Sequence, residues 1–167
     1  SAASDVYKRQ EEHGVTIVAI GGREYHGSVY LLGQYERVMT QQEFERLTLM
    51  NPGRVAQMDT VVMIQCVRPP HAAYEYCSRI CCTNTMKNAM RVKRLNPKVR
   101  LYVLYKDLIT YGFREQYYTE ARRHGVLFVR YDDQHPPQVE AQDGRLEVRV
   151  TDPVLQEELV IRPDALA

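Results

Sequence analysis

The sequence predicts an α/β protein, a doubly wound parallel sheet followed by a small antiparallel β-hairpin region. Three observations carry this reading. Short apolar, β-branched runs at Thr60–Ile64, Val99–Tyr105 and Val126–Arg130 alternate with helical patterns. Strands alternating with helices at these short spacings read as β-α-β units, which are right-handed and put parallel strands side by side. Beyond Pro136-Pro137 the pattern changes, and Val139–Val150 alternates around Asp143-Gly144, the strongest short hairpin signal.

Taken in order, Val15–Ile20 (VTIVAI) ends in Gly21-Gly22 and reads as a buried strand, its glycines bringing the backbone close to a neighbour. No G-x-G-x-x-G follows, so no phosphate-binding fingerprint is present there. Arg23 to Val38 is Gly- and Tyr-rich and irregular. Thr40-Gln-Gln-Glu43 forms a capping box that opens a helix through about Leu49, and Asn51-Pro52-Gly53 closes it. The Thr60–Ile64 strand follows, then a loop and a long helical pattern stopped by Asn96-Pro97. After the Val99–Tyr105 strand, Arg114–His124 is a helix closed by Gly125, and Val126–Arg130 is the next strand. Leu159–Ile161, after the Asp152-Pro153 turn, supplies a third antiparallel strand, and the C-terminal residues resemble the start of another.

The chain has 167 residues, enough for one real core, and a formal charge of +1. Ser1–Gln10, SAASDVYKRQ, reads as translated sequencing-adapter sequence and is set apart as non-native, which marks the chain as an internal fragment of a longer protein. Without Asp5, Lys8 and Arg9 the acidic and basic residues balance, which argues against a generic nucleic-acid binder. No apolar run is long enough to cross a bilayer and no signal-peptide pattern precedes the first strand, so a cytoplasmic protein is expected.

All four cysteines, Cys66, Cys77, Cys81 and Cys82, fall between the end of the Thr60–Ile64 strand and the start of the following helix, with spacing C-x10-C-x3-C-C. Such clustering in a cytosolic context favours metal or redox chemistry over a disulfide framework or inert burial. With the helix taken to begin near Cys77, Cys77 and Cys81 share a face and Cys82 is turned by about 100°. One zinc ion requires four sulfurs converging on a point, which adjacent cysteines serve poorly. A cuboidal 4Fe-4S cluster takes one thiolate at each corner and tolerates divergent directions. Geometry favours iron and sulfur, with a zinc-stabilised structural or binding domain as the alternative. Helix-end amides would stabilise the cluster's negative charge, with Arg68, Arg79 and Lys87 near in sequence. Met86, Ala89, Met90 and Val92 read as core. His13, His26, His71, His124 and His135 are scattered and read as surface or packing residues, and Tyr74 and Tyr76 as a lid over the site.

TVVMIQC, YCSRICC, MKNAM, VRLYVLYKDLITYG and REQYYTEARRHGVLFVR, with GVTIVAIGGREY and RVMTQQEFE upstream, resemble the iron-sulfur flavoprotein component, the A subunit, of heterodisulfide reductase over Gly14 to Ala167. The resemblance implies a partial Rossmann-like, thioredoxin-reductase-like FAD/NAD(P)-binding fold. Residues 11–58 would be the end of the FAD-binding domain with a connecting segment, and 59–167 the pyridine-nucleotide-domain-like unit carrying the iron-sulfur site. It further implies Cys66, Cys77, Cys81 and Cys82 as ligands of a 4Fe-4S cluster. Gly21 would lie close to FAD, a cofactor held mostly by parts of the protein outside this chain. The function implied is an oxidoreductase component passing electrons between FAD and iron-sulfur clusters, inactive in isolation. Its partners would be other heterodisulfide reductase-type subunits and a hydrogenase or dehydrogenase donor. Val67-Arg68-Pro69-Pro70 and Ile20 depart from the family pattern, which has Val-Gly-Ser-Arg and threonine there.

Overall fold

In the computed structural model, residues 12–19, 24, 26–67 and 77–167 are described. Helix α1, Gln41–Met50, starts on the predicted capping box. Thr40 Oγ1 accepts from the Glu43 amide at 3.2 Å while the Glu43 carboxylate accepts from the Thr40 amide at 2.8 Å. Asn51 ends α1 and also opens a second helix, α2 (Pro52–Ala56). Its side-chain oxygen accepts from the Arg54 amide, and Pro52 sits at the first helical position. The Asn-Pro-Gly stop is therefore a restart, because proline's fixed φ suits a first turn as well as it ends the preceding one.

Strand β1 (Thr60–Ile64) pairs in parallel with β2 (Arg100–Tyr105), and β2 with β3 (Val126–Arg130). Helix α3 (Cys81–Leu95) connects β1 to β2, and α4 (Glu115–Arg123) connects β2 to β3. The antiparallel strands β4 (Gln138–Gln142), β5 (Arg145–Asp152) and β6 (Glu157–Ile161) follow, and the chain returns as β7 (Ala165–Leu166), parallel to β1 on its other side. The parallel sheet therefore runs β3-β2-β1-β7, beside a separate sheet β4-β5-β6. The order is that of a Rossmann-like half-sheet, and the predicted α/β class holds.

Strand alternation sorts the core into two layers. Val61, Met63, Leu101 and Val103 pack against Phe44 of α1, Met86, Ala89 and Val92 of α3, and Ala121 of α4. Val62, Ile64, Leu104, Val129 and Leu166 point the other way, onto Leu146, Val148, Val150 and Ile161 of the antiparallel sheet. Each Val, Leu, Ile, Met or Phe side chain removed from water in this way contributes about 1.5–3 kcal/mol. Both faces of the parallel sheet are thus covered, one by helices and one by a second sheet. The β4–β5 turn places Asp143 and Gly144 at φ of 51° and 73°, the double left-handed turn that the Asp-Gly pair predicts.

Among the described residues, the first predicted strand does not form. Residues 15–19 lie outside regular structure, with Val15, Ile17 and Val18 all more than 70% exposed. An apolar run becomes a strand only beside a ladder partner, and none of β1–β7 pairs with it. Ile20 and Gly21 lie outside the described residues, as do Arg68, His71, Tyr74 and Tyr76. Among the described residues no helix is long and apolar enough to cross a membrane.

Candidate functional site

Parallel sheets offer their sites at the carboxyl ends of the strands, and β1 delivers the first thiol there. The Gln65 amide donates to Leu104 O of β2 at 2.8 Å, and the Tyr131 hydroxyl donates to the Gln65 carbonyl. Held on both sides, the backbone turns at Cys66 into the left-handed region, with φ of 62°. A residue bearing a Cβ loses roughly 1–2 kcal/mol in that conformation.

The described chain resumes at Cys77, which is not on the helix as expected. Arg79 also takes a left-handed φ, of 60°, which ends any helical path before it, and α3 begins only at Cys81. The Cys77 sulfur accepts the Arg79 amide at 3.3 Å, closing a local turn. Ile80, at the N-cap, has no side-chain group to satisfy the first amides of α3, which lie beside the thiols.

Cys81 and Cys82 form a hydrogen-bonded pair. Donation from the Cys82 thiol pulls the Cys81 pKa down to about 6, helped by the Cys82 amide and the Ser78 hydroxyl and opposed by burial. The same bond, burial and the neighbouring Cys66 push the Cys82 pKa up, against donation from the Ile109 amide. All four thiols are free; Cys82 is buried, Cys66 and Cys81 half-buried and Cys77 exposed.

The segment after β2 forms a wall of the site, a role the sequence reading did not assign to it. The Cys66 thiol donates to the Asp107 carbonyl at 3.5 Å, the Cys82 sulfur lies 3.9 Å from the same oxygen, and the Ile109 amide donates to Cys82 at 3.4 Å. The signals in the sequence that could have found it were its place in the VRLYVLYKDLITYG stretch and topology, since this loop leaves the strand next to β1 at the same edge. Of the cations expected to surround the site, Arg79 contributes its backbone amide. Lys87 pairs instead with Glu45 of α1 at 2.7 Å. Met86, Ala89 and Val92 are core, as expected, and His26, His124 and His135 stand on the surface beside carboxylates.

The site therefore joins sulfur donors from a strand end, a turn and a helix start, with backbone amides directed at three of the four. This donor set fits a thiolate-bound iron-sulfur cluster, whose net negative charge such amides stabilise. Among the described residues no three cysteine, histidine or acidic side chains converge on one point as a single ion would need.

No protein-family model matches the chain. It is 34% identical, over 70% of its length, to the iron-sulfur A subunit of the CoB–CoM heterodisulfide reductase of Methanocaldococcus jannaschii, covering 20% of that protein. It is 31% identical to the corresponding iron-sulfur A 1 subunit of Methanopyrus kandleri, over 90% of the chain and 25% of the relative. With the A subunit of the H2/formate:CoB-CoM heterodisulfide,ferredoxin reductase of Methanococcus maripaludis it shares 32% identity over the same shares. The chain spans a fifth to a quarter of the length of these curated relatives. Within that span it belongs to the family of heterodisulfide reductase A subunits.

Proposed function

We propose that this chain is the cluster-carrying segment of an electron-transferring subunit in a heterodisulfide reductase-type complex, with Cys66, Cys77, Cys81 and Cys82 as the ligands of a 4Fe-4S cluster. The observation that carries the reading is that Cys66, at the end of β1, and Cys82, in the first turn of α3, meet at the Asp107 carbonyl, with Cys81 opening that helix and Cys77 four residues before it. When bound, the cluster takes up and releases single electrons. The chain's part is to hold the thiolates, direct the Ile109 and Arg79 amides at sulfur, and keep Cys82 away from water. Hydrogen bonds to sulfur and burial are the means by which a protein sets a cluster's potential. FAD would be held mainly by parts of the subunit outside this chain, with Gly21 near it. Other reductase subunits and a ferredoxin-, hydrogenase- or dehydrogenase-type donor would be the partners. Names of relatives that mention ferredoxin, H2 or formate support this reading.

The test is anaerobic reconstitution of the chain with iron and sulfide, followed by electron paramagnetic resonance of the dithionite-reduced sample. A reduced 4Fe-4S signal with matching iron and sulfide is expected. A silent sample carrying stoichiometric zinc overturns the assignment and leaves a structural metal domain.

A further inference from the structure

The loop that walls the thiol site is itself fastened by β3. Arg130, the last residue of β3, donates through Nε to the Lys106 carbonyl at 3.0 Å and brings Nη2 to 3.8 Å from the Asp107 carboxylate. Lys106 in turn pairs with Asp133. At the loop's other end the Thr110 hydroxyl, 3% exposed, donates to Glu115 at the start of α4 at 3.5 Å. Between these two anchors lie the Asp107 carbonyl and the Ile109 amide, the groups that meet Cys66 and Cys82. The guanidinium is mostly exposed, so its Coulomb attraction to Asp107 is weak, and its main effect is the directed bond to a backbone carbonyl.

We infer that Arg130 is a positioning residue for the cluster site, holding the loop after β2 so that the Ile109 amide donates to the Cys82 sulfur. This rests on the ligand reading above. A fixed N–H donor on a ligand sulfur stabilises the extra electron of the reduced state, so loosening the loop lowers the reduction potential without removing a ligand. Lysine keeps the charge of Arg130 but lacks the planar fork that reaches the Lys106 carbonyl and the Asp107 carboxylate together. Charge and position can therefore be separated.

The experiment compares the chain as it stands with Arg130→Lys and Arg130→Gln. In the reconstituted protein, iron and sulfide content should be unchanged in both variants. The potential, titrated with redox dyes, should fall in both, and the deuterium-sensitive component of the Fe–S(Cys) stretch in resonance Raman should weaken. In the metal-free protein, exchange of the Ile109 amide, followed by NMR, should be faster in both variants. Potentials equal to the unsubstituted chain in both variants overturn the inference. A fall in Arg130→Gln alone does so too, because it reports only a lost charge. A chain that takes up no iron at all overturns the ligand reading instead, and the Ile109 exchange rate then decides the positioning role by itself: unchanged exchange in Arg130→Lys refutes it.

Discussion

The interior of the parallel sheet and its carboxyl edge follow opposite rules. In the interior, Val61, Met63, Leu101 and Val103 are wholly buried, and the ladders of β1, β2 and β3 run without a break. At the edge, a few residues away, Cys66 and Arg79 hold left-handed backbones, α3 starts without a side-chain cap, and apolar groups face water. Ile80 is 53% exposed and Phe113, in the turn before α4, 94%. Strained backbone persists only where its surroundings over-determine it. Here the packed interior supplies that constraint, and the edge uses it to hold sulfur atoms and amides in positions the local sequence would not choose.

The sharpest way to separate the two regions is to remove one thiol. Cys81→Ser should reduce the iron content of the reconstituted chain from stoichiometric to near zero, leaving the far-ultraviolet circular dichroism of the metal-free chain unchanged. The interior responds in the reverse sense. Leu101→Ala opens a cavity beneath α3 and should cost about 2–5 kcal/mol in denaturant unfolding of the metal-free chain. A cost below about 1 kcal/mol would mean that the sheet interior is not the constraint that holds the edge.

The same division explains what could be read from residues alone. Interior elements announce themselves because one periodicity or one turn motif suffices: the box at Thr40 and Glu43, the three β-branched runs, and Asp143-Gly144. The edge was legible in composition but not in conformation. Four clustered cysteines marked the site, yet the left-handed turn at Arg79, which takes Cys77 off the helix, is set by the chain's path and not by any residue preference, since arginine disfavours that region. The Asp107–Ile109 wall reaches Cys66 from 41 residues away, and no residue type in it points to sulfur chemistry. The described part of the first apolar run, residues 15–19, failed for a different reason, because apolar composition describes burial in a sheet only when a partner strand is at hand.

Two glycine exchanges bring the comparison down to single backbone angles, and they have the smallest expected effects. Gly125, at φ of 75°, closes α4, and its amide donates to Arg122 O at 2.9 Å. A Cβ there meets only Lys93 Nζ at 3.8 Å, an ordinary contact, so Gly125→Ala should cost about 1 kcal/mol from backbone strain alone. Arg79→Gly runs the other way. Glycine relieves the strain at φ of 60° but gives the unfolded chain about 0.4–1 kcal/mol of extra conformational freedom to lose. The two terms nearly offset, and the metal-free chain should unfold at unchanged or slightly higher denaturant. Because the Cys77 sulfur accepts from the backbone amide of residue 79, that bond survives the substitution, and iron uptake should be unchanged as well. If Arg79→Gly instead lowers stability by more than about 1 kcal/mol, the backbone there is not held against its preference, and the contrast between a relaxed interior and a strained edge fails at its most exposed point.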